Sequence, residues 1–465
     1  MSRSSPSALV CSCCAVLAGC DTLDLYGTFV TTEHRDAGAL DAAQDAALAP
    51  QVPPAAIGAA SQPGVAQSPS TIGSRPSASS ASDSDGGATL VPVIAAVRDS
   101  ICLRGGSDTS ACEAARELAF GHAVCSCASM LGTGSLSTET LGAITGLAAV
   151  GTNGAFTLRI SRSSAADAAG IIDGSLVASG LGPSAVTGID AEIRGRLELA
   201  AGFTFAGDVR VTGPAYSRTY PRGSGSLRIA GDLYHGRQPG LSLPPNVMVG
   251  GTVLEADIRT APPCACGVAS AAELVSAIAA AVSGNDGARE PLELDGLGPV
   301  TGTGGSVSLS CGRYSVAKVE SPGSLTLLIS GKVVIFVVGD FVVHGDVAVS
   351  LAPGAELDLV IGGDLRLSGA ARFGDADRPA ASRVYVRGAV ELSTMADAAG
   401  LARPSTATGD AVFVGHLYAP AATLELAPRS DVYGSLFVSQ LIVLQSLFVH
   451  YDPAATLWRG VECGS

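Results

Sequence analysis

Twelve cysteines carry most of the chemistry available to this sequence. Four lie in the first 20 residues, and eight follow residue 100: Cys102, Cys112, Cys125, Cys127, Cys264, Cys266, Cys311 and Cys463. An even number of cysteines in an exported chain predicts disulfides, and their pairing stays open at this point. Zinc is the alternative, but zinc sites usually space two thiolates as C-x2–4-C, whereas these pairs read C-x-C. We therefore predict disulfides and no metal site.

The amino terminus predicts export. Arg3 precedes a short apolar stretch, residues 8–19, and the segment ends in LAGC at residues 17–20. The stretch is too short for a membrane-spanning helix and resembles the bacterial lipobox, which implies a lipidated Cys20 as the mature N-terminus. An ordinary secretory signal is the alternative. Asp21 resembles an inner-membrane retention signal that holds only in some bacteria, so we expect a lipid anchor in the cell envelope, at the outer membrane or cell surface.

Catalytic motifs are absent from the sequence. It has no H-E-x-x-H and no G-x-S-x-G, and Gly331-Lys332 is followed by Val333 instead of the Ser or Thr of a phosphate loop. A carbohydrate-active enzyme is the alternative, and it needs paired carboxylates in a cleft. Asp375 and Asp377 are close together, but they belong to a turn-like GDADRP segment, and no aromatic stripe offers sugar platforms. We predict no catalytic residues, no cofactor and no enzymatic activity.

Aspartates and histidines beside glycines are the remaining candidates for a ligand site. The aspartates that follow a glycine are Asp208, Asp232, Asp340 and Asp364. Stacked at one corner they could bind Ca²⁺, but calcium-binding repeats carry Gly-Gly-x-Gly-x-Asp in every turn. His235 and His344 precede glycines and could form a second column. Because Asp and other polar residues favour turns, we interpret both sets as turn residues.

A recurring phrase predicts the fold. An apolar strand, a glycine, an alternating strand and a second glycine occur at residues 205–213, 228–236, 336–345 and 360–369. Gly207 and Gly231 are 24 positions apart, and so are Gly339 and Gly363. A fixed period of this length predicts a solenoid in which each coil buries its apolar face against the next. The predicted fold class is mostly β, a right-handed parallel β-helix with short helical, cysteine-rich caps or inserts.

The register follows from this interpretation. Val337 should lie beside Ile361, and Phe341 beside Leu365. The two β-rich stretches should share one axis or pack side by side, with a cysteine-containing insert between them. In that insert we expect Cys311 to bridge to Cys264 or Cys266.

Composition changes divide the chain into segments. Two capping boxes predict helices at about 110–121 and 270–283. The predicted segments are a lipoprotein signal (1–19), the lipidated N-terminus with a disordered Ala/Pro/Ser linker (20–89), a Cys-rich helical cap (90–131), a first β-solenoid stretch (132–261), a Cys-containing helical insert (262–314), a second β-solenoid stretch (315–454) and a tail (455–465).

Residues 263–454 resemble a β-helical domain of unknown function found in bacterial surface lipoproteins and in some pilus-assembly proteins. The resemblance rests on the CAC motif at 264–266, LSCGRY at 309–314, LAPGAELDL at 351–359, GHLYAP at 415–420 and the HYD near the end. The last part is also loosely similar to the bactofilins, which polymerise through the ends of a β-helix. The resemblance implies an exported β-helix and no known catalytic activity.

Charge narrows the choice of partners. The chain has 465 residues, 15% of them charged, and a formal net charge of −14 with no basic stripe, which argues against nucleic acid as a partner. We predict a non-enzymatic structural or adhesive protein of the cell envelope, bound to the membrane through its N-terminal lipid. Candidate partners are envelope polysaccharide and further copies of the chain. The alternatives are a carbohydrate-active β-helix enzyme and a bactofilin-like self-assembling scaffold.

Overall fold

Parallel strands dominate the protein in a computed structural model. The structure describes residue 117 and residues 119–161, 170–266, 305–392, 411–427 and 429–456. Alternating apolar and polar residues with glycine-containing turns build short strands, and each strand pairs in parallel with the same part of the next coil. The result is a β-solenoid of about 12 turns.

Sixteen strands lie in the amino-terminal part of the described chain. They are β1 Val124–Ser126, β2 Met130–Leu131, β3 Ser135–Thr140, β4 Val150–Thr152, β5 Arg159–Ile160, β6 Ile171–Ile172, β7 Leu176–Ala178, β8 Ser184–Thr187, β9 Ala191–Ile193, β10 Leu197–Leu199, β11 Phe203–Val211, β12 Ala215–Ser217, β13 Arg222–Ile229, β14 Leu233–His235, β15 Val247–Val249 and β16 Val253–Glu255.

Fifteen strands and two 3-10 turns lie in the described residues of the carboxy-terminal part. They are β17 Gly305–Leu309, β18 Gly312–Val316, β19 Val319–Ser321, β20 Leu325–Ile329, β21 Lys332–Val337, β22 Phe341–Val343, β23 Val347–Leu351, β24 Glu356–Ile361, β25 Leu365–Leu367, β26 Ala371–Arg372, β27 Ser382–Val386, β28 Val390–Leu392, β29 Ala411–Leu426, β30 Ser430–Val443 and β31 Ser446–Tyr451, with 3-10 turns at Pro379–Ala381 and Pro453–Thr456.

Strands of successive coils stack into faces. In spatial order, face A contains β18, β21, β24, β27, β29, β30, β1, β4, β7, β10, β12, β14 and β16. Face B begins with β17, β20 and β23 and ends with β11, β13 and β15. Face C is the four-stranded sheet β19-β22-β25-β28.

The carboxy-terminal coils precede the amino-terminal coils along the axis. Leu436 of β30 pairs with Val124 of β1, and Ser446 of β31 pairs with Ser135 of β3. One coil, here called the seam coil, takes β31 from the carboxy-terminal part and β1 and β2 from the amino-terminal part. The expectation of a shared axis is confirmed. The two stretches meet at the seam coil, however, and not across the segment that connects them in sequence.

A return segment, residues 256–266, leads from the last amino-terminal coil back to the seam coil. Disulfides join Cys264 to Cys125 and Cys266 to Cys127. Six steps of about 4.8 Å separate β16 from β1, roughly 29 Å in all, which nine residues cover only when nearly fully extended. The return segment is therefore a strap along the amino-terminal coils.

The predicted register is confirmed in the carboxy-terminal coils, where Val337 pairs with Ile361 and Phe341 pairs with Leu365. The 24-position step is wrong for the amino-terminal coils, because Gly207 pairs with Gly225, 18 positions on. The physical reason is the shape of the coil. There the single strand β11 pairs with β8 through residues 203–206 and with β9 through residues 209–211, whereas the carboxy-terminal coils use separate strands with turns between them, so their coils are longer.

Helices are nearly absent from the described residues, which show helical geometry at Glu117, Ala119 and Phe120 and two 3-10 turns. The predicted cysteine-rich helical caps are not supported, because Cys125 lies within β1 and pairs with strands on both sides. The helix predicted at 270–283, and most of the one at 110–121, falls outside the described residues. Residues 305–314 of the predicted insert belong to β17 and β18, which pair with β20 and β21.

The interior is one continuous apolar cluster that crosses the seam coil. Buried side chains of face A form an inward row of Ile335, Leu359, Val384, Leu417, Leu436, Val124, Val150, Leu176, Leu197, Ala215 and Leu233. Burial of each large apolar side chain contributes about 1.5–3 kcal/mol. In the part of the chain that the structure describes, no helix has the length and hydropathy to cross a bilayer.

Candidate ligand-binding groove on face C

The outward side of face C carries an ordered row of side chains. Glu320, Val342, Arg366 and Glu391 occupy equivalent positions on β19, β22, β25 and β28. Val342 is short and half-buried, whereas the two glutamates and Arg366 are exposed. A short side chain between longer neighbours leaves a depression, and a groove of about 400 Å³ lies here.

Ion pairs hold the charged side chains of this face C groove. Lys318 Nζ donates to Glu320 Oε2 at 2.7 Å, and Arg366 donates to Asp364 Oδ2 at 2.6 Å. The hydrogen bond from Lys318 and its positive charge hold the pKa of Glu320 below its ordinary value, with a smaller contribution from His344. The groove therefore presents charged donors and acceptors whose charges largely compensate each other.

Three of the four predicted turn aspartates accept a backbone N–H of the next coil, and two of these three lie beside face C. Asp340 Oδ1 accepts the N–H of Asp364 at 2.9 Å, and Asp364 Oδ1 accepts the N–H of Ala389 at 2.9 Å. Gly363 is required here, because a Cβ would lie under 3.0 Å from Asp340 Oδ1 and from the backbone of Gly339 and Asp340. The Gly-Asp phrase thus links one coil to the next.

The four aspartates do not form one column. Asp340 and Asp364 follow face A strands, whereas Asp232 precedes one, and Asp208 lies within β11. Asp232 Oδ1 accepts the N–H of Thr252, and Asp208 Oδ1 accepts the hydroxyl of Ser226. Among the described residues, no three His, Cys, Asp or Glu side chains are grouped as a metal site requires.

The histidines are also dispersed. His235 is buried on face A, where Tyr220 Oη lies 3.2 Å from its Nε2, and His344 is exposed at the end of β22. His416 is fully buried with its Nδ1 2.8 Å from Ser435 Oγ. The alternative of a histidine column therefore fails.

The cysteine pairing differs from the expectation for Cys311. Cys264 and Cys266 bond to Cys125 and Cys127, and Cys311 is disulfide-bonded elsewhere. The predicted bridge from Cys311 to Cys264 or Cys266 is wrong. Cys20, Cys102, Cys112 and Cys463 lie outside the described residues.

Asp375 and Asp377 belong to an exposed turn, as predicted from their sequence context. The backbone carbonyl of Asp375 accepts the N–H of Arg378 at 2.9 Å, which closes the turn before Pro379. The next charged residue, Arg383, is buried and donates to Asp358 and Glu356. Burial alone would lower the pKa of Arg383, but the two carboxylates raise it above its ordinary value.

The structure also contains an aromatic pair that sequence reasoning missed. Tyr216 and Tyr234 are neighbours on face A, with ring centroids 4.7 Å apart and planes within 5°. Each ring covers one side of the other. The pair therefore stabilises adjacent coils by cross-strand stacking. A search for aromatic residues 18 positions apart, the coil length in this part of the chain, would have found the pair.

Comparisons with known proteins add a family relationship for part of the chain. Residues 267–456 are similar to the domain of unknown function DUF7305. The matched range contains the carboxy-terminal coils, face C and β31 of the seam coil. None of the curated proteins and none of the solved structures matches the chain.

Proposed function

We propose that this protein is a lipid-anchored, exported β-solenoid with a non-enzymatic structural and adhesive role at the cell envelope. Two features support export: the LAGC sequence at residues 17–20 and the pair of disulfides, which persist in oxidising compartments. We further propose a right-handed coil, because connections between parallel strands are overwhelmingly right-handed.

The adhesive surface in this proposal is the face C groove, and its ligand is a neutral polysaccharide. The observation that carries the proposal is the row of Glu320, Arg366 and Glu391 at regular rung positions beside Val342. A polysaccharide offers hydroxyl groups at regular intervals, which carboxylates accept and guanidinium groups donate to. A neutral chain fits best because Glu320 and Arg366 are already ion-paired.

Binding without hydrolysis suits this geometry. Glycosidases hold two carboxylates about 5–9.5 Å apart. Glu320 and Glu391 occupy the same outward position three rungs apart, which is roughly 14 Å. Asp340 also lines the groove, but its Oδ1 already accepts the N–H of Asp364. The groove therefore favours a binding surface over the alternative of a carbohydrate-active enzyme.

Affinity electrophoresis tests the proposal. Dextran in the gel should retard the wild-type protein, and Arg366→Ala combined with Glu391→Ala should remove most of the retardation. Arg228→Ala, which removes an exposed charge on face B, is the matched control and should behave as wild type. The same mobility with and without dextran, or an equal loss in the control, would refute a neutral polysaccharide site on face C.

Self-association is a second candidate function, and the last coil favours it. Exposed apolar side chains gather there, namely Leu241 (50%), Met248 (45%), Val253 (39%) and Leu254 (39%). Within the described chain, β15 and β16 pair on one side only, and such edges invite further strands. Sedimentation velocity should show larger species at higher concentration, and Val253→Lys should abolish them. A monomer at all concentrations would exclude this function.

A further inference from the structure

A second depression, here called the corner groove, arises from unequal turn lengths between face A and face B. The turn between β10 and β11, residues 200–202, is short, whereas the loop between β14 and β15, residues 236–246, is long. A short turn beside a long loop leaves a step in the surface. The corner groove occupies this step, with a volume of about 350 Å³, and Phe203, Thr204, Tyr220, Arg222, Gln238 and Leu241 line it.

Most of the lining is apolar. Phe203 is almost fully buried beneath the groove, and Tyr220 is held by its contact with the buried His235, with ring centroids 4.4 Å apart. Leu241 is 50% exposed on the wall. An exposed apolar side chain above a rigid aromatic floor provides a surface for the apolar body of a ligand.

The charge of the corner groove complements an anion. Arg222 is exposed, no carboxylate of the described residues forms an ion pair with it, and none of the lining residues is acidic. The Gln238 side chain is fixed because its Nε2 donates to the Arg218 carbonyl at 3.3 Å. Its Oε1 is buried with no hydrogen-bond partner in the described part of the chain.

We propose that the corner groove binds a small amphipathic anion, a carboxylate or phosphate with an apolar body. The apolar part packs against Phe203, Tyr220 and Leu241, and the anionic group accepts hydrogen bonds from the Arg222 guanidinium. This site lies on the amino-terminal coils and does not depend on the face C groove.

Isothermal titration calorimetry with decanoate tests the proposal, and decanol supplies the same apolar body without the charge. Wild-type protein should bind decanoate at least about tenfold more tightly than decanol, since a hydrogen bond to a charged group contributes about 1.5–3 kcal/mol. Arg222→Ala should remove this preference and leave decanol binding unchanged. Gln238→Glu should weaken decanoate as well, because it adds a negative charge to the groove.

Arg228→Ala is the matched control, because Arg228 is exposed on the same strand and does not line the groove. It should bind decanoate as the wild type does. The proposal is overturned if the wild type binds neither probe, if it binds decanol as tightly as decanoate, or if Arg228→Ala weakens decanoate as much as Arg222→Ala. The comparison of decanoate with decanol on the wild-type protein tests the proposal even if a variant fails to fold.

Discussion

His450 Nδ1 lies 2.6 Å from Glu139 Oε1, although the two residues are 311 positions apart in the chain. The contact joins β31 of the seam coil to β3 of the next coil. The imidazole ring also stacks on Tyr433 of β30, with centroids 4.2 Å apart. Because β31 pairs with β30 on one side and with β3 on the other, the end of the described chain is held between coils from its two parts.

This arrangement predicts that the chain tolerates circular permutation. Tyr451 Oη donates to the Phe120 carbonyl at 2.7 Å, and Ala455 packs in the same buried cluster as Phe120. A Gly/Ser linker from residue 456 to residue 119, with the chain opened between residues 266 and 267, should give coils that follow their spatial order. We expect a β-type circular dichroism spectrum and a melting temperature close to that of residues 119–456 in native order. A permutant that stays unfolded while the native-order chain folds would contradict the seam.

The two disulfides should stabilise the fold redundantly. Cys125–Cys264 and Cys127–Cys266 each close a loop with a sequence separation of 139. A loop of this size contributes about 4–5 kcal/mol in the chain-entropy model, but the second bond closes nearly the same loop. Serine replacement of either pair should therefore change the urea midpoint little, and replacement of both should lower it strongly. Additive losses from the two pairs would contradict this redundancy.

Lipidation of Cys20 stays a prediction from the sequence. In a Gram-negative host, the wild-type protein should partition into the detergent phase of Triton X-114, because an acyl anchor adds about 0.8 kcal/mol per buried methylene group. Cys20→Ser should move the protein to the aqueous phase or block its processing. Cys14→Ser is the control, since it removes a thiol from the apolar stretch and keeps Cys20. Unchanged partitioning of Cys20→Ser would exclude this anchor.

The carboxy-terminal coils could be predicted because their turns repeat at nearly constant spacing. Val337 and Ile361 pair as the 24-position step requires. In the amino-terminal coils the same phrase misleads, because Gly207 lies inside β11 with φ +82° and Gly231 lies in a turn before β14. At Gly207 the close approach of the Gly188 carbonyl oxygen excludes a Cβ. The same Gly-Asp phrase therefore occupies two different positions of the coil in this part of the chain.

The seam and the grooves could not be predicted from the sequence, for physical reasons. Leu436 and Val124 are ordinary strand residues, and nothing local marks them as neighbours. The face C groove depends on Glu320, Arg366 and Glu391 meeting across coils whose lengths differ by a few residues. Each is a single exposed charge in an alternating strand, so only the three-dimensional register brings them together.

The Asp340–Gly363 contact predicts a measurable coupling. Asp340→Ala removes the acceptor for the Asp364 N–H and should cost about 1 kcal/mol, whereas Asp340→Asn keeps Oδ1 and should cost less. Gly363→Ala should destabilise the wild type because its Cβ would clash with the Asp340 carboxylate and with the Gly339 and Asp340 backbone. In the Asp340→Ala background the same change should cost less, because only the backbone clashes remain. Equal costs of Gly363→Ala in both backgrounds, measured by urea unfolding, would show that the carboxylate is not the group displaced.

Asp173 should make the amino-terminal coils sensitive to acid. Burial alone would raise the pKa of Asp173, but hydrogen bonds from Thr140, the Gly146 backbone and Arg194 hold it below its ordinary value. The folded state therefore favours the carboxylate, and the stabilisation is complete above the unfolded pKa of about 3.9 and is lost as pH falls through the folded pKa.

Asp173→Asn should accordingly lower the free energy of unfolding by about 1–3 kcal/mol at pH 7, since the amide cannot accept charge-assisted bonds. The difference from wild type should shrink as the pH is lowered from 5 towards 2, because the wild type then loses its carboxylate. Asp257→Asn is the control, since the Asp257 side chain is 73% exposed and its pairing with Arg259 is screened by water. Urea unfolding at several pH values measures both variants. A pH-independent difference for Asp173→Asn would show that the carboxylate does not stabilise the fold through its charge.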